Sequence, residues 1–407
     1  MKKISLTALL IGLATLSSCS MIPGLTPSVE NPLESLEAGV IPTGGEEVDF
    51  EQLESIFNDE TKEETTLRNG LSVKVLNTTF EVCNETQYVA NGYSYGYKNV
   101  MKVNNANAEL SLTGLTSATE LNQFAGAAKA SADVYYLNQY DNEKDEFSSS
   151  LAAEGYVKEG NLYLNLNEDA YKLVYGSDEN KTFKAYTEIP SEFKDLILEG
   201  GFTLPLLSDT NIEFLERMLE EFANNDNVSS SVSQIVLSEE VLSVAFDTLF
   251  TVNKYADTYL LSLDLNKENV PAKAETILDK LYADGFLNSI LGPAFGTSSI
   301  TAEQYSELKS EFLTAINDYV KDFSHAKLSV VFDEVMVKSI SADVDFTYKT
   351  SYKDLYYENN STATVKLLTN IVFEYADTVA VSYPDFAGYE YIPSSTSGSG
   401  ESIPSVK

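Results

Sequence analysis

The sequence predicts an α+β fold built on one large antiparallel sheet, with helices grouped in two places along the chain. Apolar and polar residues alternate over many closely spaced segments, which indicates antiparallel strands with one apolar face. Helical spacing of apolar residues appears only in grouped stretches between runs of strands. A doubly wound parallel sheet would instead alternate single strands with single helices, so that class is not favoured.

The strand pattern is clearest near the C-terminus, where residues 340–348 alternate apolar with small or acidic side chains. Residues 259–265 alternate in the same way, and residues 328–332 form a further strand. Residues 135–137 and 147–157 are predicted to be the two arms of a hairpin around a polar loop. Three more short strands are expected, at 160–166, 171–175 and 182–187.

Amphipathic helices are predicted from apolar residues that recur at helical spacing. The first group is a helix at 210–224, which begins at a threonine–glutamate capping box. The second group contains helices at 271–288 and 301–323. The stretch 228–252 is ambiguous, and we expect a helix first and then a strand from about Ala245.

Residues 1–18 have the features of a secretory signal peptide: two lysines, then an apolar stretch too short to span a bilayer. The segment leads into Leu16-Ser17-Ser18-Cys19, which resembles the lipobox of bacterial lipoproteins. The resemblance implies that residues 1–18 are removed and that Cys19 carries a diacylglycerol group, with acyl chains such as palmitate. Two acyl chains give stable anchoring, so we expect an extracytoplasmic protein anchored to a cell membrane or an outer membrane.

The chain is strongly acidic, with 62 acidic and 27 basic residues and a net charge of −35. Nucleic acid is therefore excluded as a partner, because binding to phosphates depends on Lys and Arg. Cys19 and Cys83 are the only cysteines. With Cys19 acylated, Cys83 has no intramolecular partner, so no disulfide is expected and the fold depends on its apolar core.

Composition divides the chain into four regions. Residues 1–18 are the predicted signal peptide, and residues 19–60 are an acidic, proline-containing tether. Residues 61–392 form a globular α+β body, and residues 393–407 form a disordered tail. The body is either one domain or two related halves, since strands followed by helices occur twice.

The body resembles the half-barrel lipid carriers of bacterial envelopes, the Lol-type and mycobacterial lipoprotein carriers. The similarity rests on a hairpin at 155–163, on the predicted helices at 210–224, 271–288 and 301–323, and on closing strands at 326–375. It implies a curved, half-barrel-like sheet, covered by helices, whose concave face binds acyl chains or another apolar ligand. It assigns no individual binding residue.

Signatures of catalysis and metal binding are weak. His325 is the only histidine and lies at a helix-to-strand junction, where a helix-end residue near the C-terminal dipole is the simplest interpretation. Asp141, Glu143 and Asp145 alternate as at the start of a calcium loop, but the glycine and the distal glutamate of such a loop are missing. We therefore expect no catalytic residue, no metal site and no cofactor.

Tyrosine is the residue type that suggests a binding face. Tyr93, Tyr95 and Tyr97 alternate with Ser94 and Gly96, so all three are expected to project from one face of a strand. Rigid amphipathic rings suit binding, although tyrosine also fills ordinary sheet cores. The three tyrosines are the candidate ligand-binding residues.

Three functions follow from these features. The leading hypothesis is a non-enzymatic, membrane-anchored envelope lipoprotein that binds an apolar ligand such as a lipid in a curved sheet. The alternative is a surface interaction or scaffold lipoprotein that binds a protein partner and has no ligand cavity. The third is a carboxylate-based hydrolase, because sixty-two acidic residues provide many possible pairs.

Overall fold

A computed structural model describes most of the body of the chain. The described residues are Leu33 and residues 37–48, 69–90, 93–115, 118, 120–141, 143–176, 179–189, 239–292, 296, 298–333, 336–353 and 357–393. The predicted signal peptide, Cys19, the predicted helix at 210–224 and residues 394–407 lie outside these ranges. Among the described residues, no helix is both long enough and apolar enough to cross a membrane.

The described residues form an α+β fold with one large sheet and few helices, as the sequence predicts. The strands are β1 (Glu46–Val48), β2 (Gly70–Ala90), β3 (Tyr93–Thr113), β4 (Ala125–Tyr140), β5 (Glu143–Lys158), β6 (Asn161–Leu166), β7 (Phe183–Glu188), β8 (Phe250–Tyr255), β9 (Thr258–Asn266), β10 (His325–Phe332), β11 (Val337–Lys353), β12 (Tyr357–Ala376) and β13 (Glu390–Tyr391). The α-helices are α1 (Glu168–Tyr175), α2 (Glu239–Leu249), α3 (Val270–Ala283), α4 (Phe286–Leu291) and α5 (Ala302–Val320).

The thirteen strands follow the spatial order β1-β8-β9-β10-β11-β12-β2-β3-β4-β5-β6-β7-β13. Neighbouring strands are antiparallel except β7 and β13, which run parallel. Because β1 and β13 lie at opposite ends of this order, the sheet is open. Strands β8 to β12 form one half of this order and strands β2 to β7 form the other half. The halves meet where β12 pairs with β2, from Tyr357–Ala90 to Ala376–Gly70.

The sheet has an apolar face and a polar face. Directly paired residues of neighbouring antiparallel strands point to the same face. The register therefore places Leu261, Val330, Ile340, Ile371 and Val75, from five adjacent strands, on the apolar face. All five are buried in the main hydrophobic core, which also contains Val48, Phe246, Val252, Tyr259, Leu328, Phe332 and Ala342.

Helices α2 to α5 form a layer over the apolar face at β8 to β11, and the short helix α1 packs against β5 and β6. Phe246 of α2 enters the main core, where its ring stacks on Phe250 at 4.8 Å between centroids. Farther along, Tyr319 at the end of α5 contacts Phe346 and Tyr348 of β11 at 5.9 and 4.5 Å. Between the helices a second, small core contains Leu278, Ile300 and Tyr305.

The polar face is covered at its β8–β10 end by the N-terminal segment. Leu33 is buried against Leu260 and Val331, and the Tyr255 hydroxyl donates a hydrogen bond to the Pro42 carbonyl at 3.0 Å. Gly39 lies against Asp343 with a φ of 77°, and a Cβ there would overlap the carboxylate. Part of the region expected to be a tether is thus docked on the sheet.

The opposite end of the polar face is covered by the chain after β12. Phe386 stacks on Tyr163 at 3.9 Å and meets Tyr156 edge-on at 5.7 Å. The Tyr383 hydroxyl donates a hydrogen bond to the Val157 carbonyl at 2.9 Å. This aromatic packing leads the chain to β13, at the edge of the sheet beside β7.

Three local predictions need correction. Residues 171–175, predicted as a strand, belong to α1, because Asn167 caps the Ala170 amide and Gly176 ends the helix in the left-handed region. The loop predicted between the arms of the hairpin is largely strand, since β4 and β5 pair from Gly126–Val157 to Tyr140–Glu143. The strand expected from about Ala245 begins at Phe250, five residues later.

Candidate ligand-binding face

Tyr93, Tyr95 and Tyr97 lie in the first half of β3 and project from the apolar face. Their side chains are 69%, 41% and 37% exposed, respectively, so they do not fill a core. In the register, Tyr95 pairs with Tyr88 of β2 and Tyr97 pairs with Tyr140 of β4. The three candidate residues are therefore part of a larger aromatic surface.

We call this surface the tyrosine rim. It lies at the ends of the long central strands, where β11, β12, β2, β3 and β4 reach their turns. Pairing of Tyr352 with Asn359, of Asn359 with Tyr88, and of Tyr357 with Ala90 brings β11 and β12 into the same surface. Its members are Tyr88, Tyr93, Tyr95, Tyr97, Tyr140, Tyr352 and Tyr357.

Farther from the strand ends, the same face carries a row of side-chain amides, the amide row. Asn84, Asn99 and Asn138 are paired across β2, β3 and β4, and Asp145 of β5 continues the row. Asn99 Nδ2 donates a hydrogen bond to the Tyr136 hydroxyl at 3.3 Å. The Asn138 Oδ1 atom is buried and accepts no hydrogen bond from any residue that the structure describes.

Beyond the amide row lies an uninterrupted apolar strip that runs across six strands. Met101 and Phe147 in this strip are 43% and 50% exposed, which is unusual for large apolar side chains in the middle of a strand. The next row, which includes Phe80 and Leu367, is also apolar and half-buried. In order from β11 to β5, the apolar strip consists of Phe346, Val365, Val82, Met101, Tyr136 and Phe147.

The helix layer borders the strip on one side. Phe346, the first residue of the strip, contacts Phe323 at 5.8 Å and Tyr319 at 5.9 Å. Farther along the strip, Met101 and Phe147 remain exposed, although α1 packs on β5 at Ser150. The helix layer therefore ends beside Phe346, and the rest of the apolar strip continues across the open sheet.

Charge is distributed unequally between the two faces. The strip, the amide row and the tyrosine rim contain no Lys or Arg, and Asp145 and Glu143 on β5 are acidic. The lysines of β2–β5 and β12 all lie on the polar face, where Lys98 and Lys102 pair with Glu85 and Glu81 at 2.8 and 3.0 Å. The strip, the amide row and the tyrosine rim therefore offer no cation to an anionic group.

His325 begins β10 on the polar face, remote from the tyrosine rim. The Ser324 hydroxyl lies 3.0 Å from Nδ1, and Asp343 Oδ1 lies 2.9 Å from Nε2, as in a Ser-His-Asp arrangement. The contact with Asp343 is close but not aligned as a hydrogen bond, so Nε2 is a buried, unsatisfied atom. A proton relay needs an aligned partner on each side of the ring, and this geometry does not provide one.

The acidic residues predicted to resemble a calcium loop occupy the β4–β5 turn. Asp141 has a φ of 49°, and its carboxylate accepts a hydrogen bond from the Gly96 amide at 2.7 Å. The carboxylate thus ties the turn to β3. Within the described chain, no group of three His, Cys, Asp or Glu side chains is placed to hold a metal ion.

A shallow polar pocket of about 180 Å³ lies beside this turn. Its walls include Glu85, Gln87, Lys98 and Asp141, and Gly96 leaves room in its floor. The charges of Glu85 and Lys98 already satisfy each other at 2.8 Å. The pocket is therefore a less suitable binding site than the open apolar face.

No protein-family model, curated protein or solved structure matches the chain.

Proposed function

We propose that this chain is a membrane-anchored envelope lipoprotein, not an enzyme, that binds an apolar ligand such as a lipid on the apolar strip. The exposure of Met101 and Phe147 beside Val82 and Val365 is the observation that supports this function. Contact of apolar surface with water is unfavourable by about 25 cal/mol per Å². Contiguous apolar surface of this kind typically marks a binding site.

The proposed anchor is the lipid on Cys19. The lipobox-like Leu16-Ser17-Ser18-Cys19 supports it, as does the signal-peptide pattern of residues 1–18. An acidic protein held in this way stays near acyl-chain ligands without binding anionic headgroups through its own charge. This arrangement, together with the helix-bordered sheet, agrees with the resemblance to half-barrel lipid carriers.

The test is ligand uptake by the full chain carrying Cys19→Ser, which cannot be acylated. Titration with a fluorescent fatty acid, and native mass spectrometry after incubation with vesicles, should both detect a bound lipid. Met101→Asp places a carboxylate on the apolar strip and should weaken binding about tenfold or more, equivalent to at least about 1.4 kcal/mol.

Leu368→Asp is the matched control. Leu368 is also an exposed apolar strand residue, 36% exposed, but it lies on the polar face. We expect this variant to bind the fatty acid as the parent does. Absence of any lipid from the parent protein, or equal losses in the two variants, would contradict the proposal.

Binding of a protein partner through the tyrosine rim is the second candidate function. Tyr93 and Tyr352 are 69% and 59% exposed, and tyrosine provides large contact area at low entropic cost. In this case Tyr93→Ser and Tyr352→Ser would abolish partner binding and leave fatty-acid uptake unchanged. Crosslinking from a photoreactive residue at position 93, with position 360 on the polar face as the control, would identify the partner.

A carboxylate-based hydrolase gains no support from the described acids. Such an enzyme needs one carboxyl group with a raised pKa to act as the general acid. The described carboxyl groups whose pKa departs from its ordinary value are all shifted downward, by hydrogen bonds to the ionised form. These groups are Asp133, Glu146, Asp169, Asp279 and Glu358.

A further inference from the structure

The uncovered part of the apolar face changes its chemistry along the strands. The apolar strip comes first, the amide row follows, and the tyrosine rim lies at the strand ends. Successive rows on one face are about 7 Å apart, because alternate residues of a strand share a face. A ligand lying along the strands would therefore have its apolar part on the strip and its polar part on the amide row and the rim.

The charge of this surface restricts what the polar part can be. An anionic phosphate placed on the amide row would lose water without gaining a cation, since the lysines of β2–β5 and β12 lie on the other face. It would also lie close to Asp145 and Glu143. An uncharged polar group meets neither cost.

The amide row gives the second restriction. Its side-chain amides can donate and accept hydrogen bonds, and the Asp145 carboxylate at its end only accepts them. A hydroxyl group can donate a hydrogen bond, whereas an ionised phosphodiester only accepts. Asn138 lies between Asn99 and Asp145, so several hydroxyl groups on one ligand would find partners along the row.

The tyrosine rim is suited to the same kind of group. Tyr97 and Tyr140 are paired across β3 and β4 and are 37% and 56% exposed, so their side chains are accessible to a ligand. Such side chains combine an apolar surface with a hydrogen-bonding tip. A sugar ring has the matching combination of apolar C–H faces and equatorial hydroxyl groups.

We propose that the ligand is an amphiphile with an uncharged, hydroxyl-rich head, such as a glycosyl diacylglycerol, whose head lies on the amide row and the tyrosine rim. This inference rests on the proposed function, because the acyl chains of the same molecule would occupy the apolar strip. The proposed ligand is a sugar attached to a lipid, not a free saccharide.

The test is a competition for the full chain with Cys19→Ser. Vesicles contain equal amounts of monoglucosyl diacylglycerol and phosphatidylglycerol with identical acyl chains, and protein-bound lipid is identified by mass spectrometry. We expect the glucosyl lipid to be bound in about tenfold excess, the effect of one or two hydrogen bonds. Asn138→Leu should bring the ratio close to unity while total lipid uptake remains.

Gln87→Leu, which removes an exposed amide from the polar face of β2, is the matched control and should keep the preference. Equal uptake of both lipids would overturn the inference and leave the proposed function standing. No uptake of either lipid would overturn both. Displacement of bound lipid by free glucose or maltose would identify a free saccharide as the ligand and overturn the proposal that the ligand is a glycolipid.

Discussion

The apolar face of the sheet has two regions that differ in what lies on them. Over β8 to β11, helices complete a core in which Ile340 is 2% exposed. Farther along the same face, Met101 of β3 is 43% exposed. The same alternation of side chains thus builds a closed core in one region and leaves exposed apolar side chains in the other.

The largest expected effect separates the two regions directly. Ile340→Ala should lower the free energy of unfolding by about 3 kcal/mol, because a cavity would remain in a closed core. Met101→Ala should change it by less than about 1 kcal/mol, since its side chain is already in contact with water. Urea unfolding followed by circular dichroism measures both, and similar losses would show that the two regions are not different.

A smaller effect concerns how the helix layer is held. The Lys273 ammonium donates hydrogen bonds to the carbonyls of Thr248 and Leu249 at the end of α2, at 3.0 and 3.3 Å. Its burial lowers the pKa of Lys273. Lys273→Met keeps the apolar stem but leaves these carbonyls without a donor, which should cost about 1–2 kcal/mol.

The matched control is Lys280→Met, an exposed lysine of α3 whose contact is with the Thr248 hydroxyl. We expect this variant to unfold within about 0.5 kcal/mol of the parent. If both lysine variants lose the same stability, the carbonyl contacts of Lys273 are not what holds α2 to α3.

The smallest effect is a pH dependence of the contact between α3 and α5. Lys309 and Tyr305 donate hydrogen bonds to Asp279 and lower the pKa of its carboxyl below 3.8. The resulting stability is present above pH 3.8 and is lost as the pH falls through the lower, folded-state value. Because Asp279 is half exposed, Asp279→Asn should cost only about 0.5 kcal/mol at pH 7.

Thermal unfolding of the Asp279→Asn variant and the parent from pH 7 to pH 2 tests this dependence. The two melting temperatures should converge toward the acid end. A constant difference across the whole range would assign the effect of the substitution to packing and not to the ionised carboxylate.

Much of the fold follows from local patterns, whereas the candidate site follows from register. The alternation at 340–348 predicts which side chains share a face, and the capping box at Thr301 and Gln304 marks the start of α5. Tyr93, Tyr95 and Tyr97 share a face for the same local reason. Their proximity to Tyr352 depends on β12 pairing with β2, residues that are hundreds of positions apart.

The same limitation explains the errors of the sequence interpretation. Residues 171–175 are rich in aromatic and β-branched side chains, which favour strands, but capping by Asn167 and Gly176 decides for a helix. The polar residues between 138 and 146 suggest a loop, yet strand pairing on both sides extends the hairpin to its tip. Tertiary pairing outweighs local preference in both cases.

The packing of Leu33 on the sheet limits the distance between the folded body and the proposed lipid anchor. With Cys19 anchored as proposed, thirteen residues lie between the lipidated cysteine and Leu33, which gives a reach of at most roughly 50 Å. A tether that extended from Cys19 to residue 60 would have a reach of roughly 150 Å. The protein would then search for its ligand in two dimensions, within a thin layer above the bilayer, at a local concentration that free diffusion could not provide.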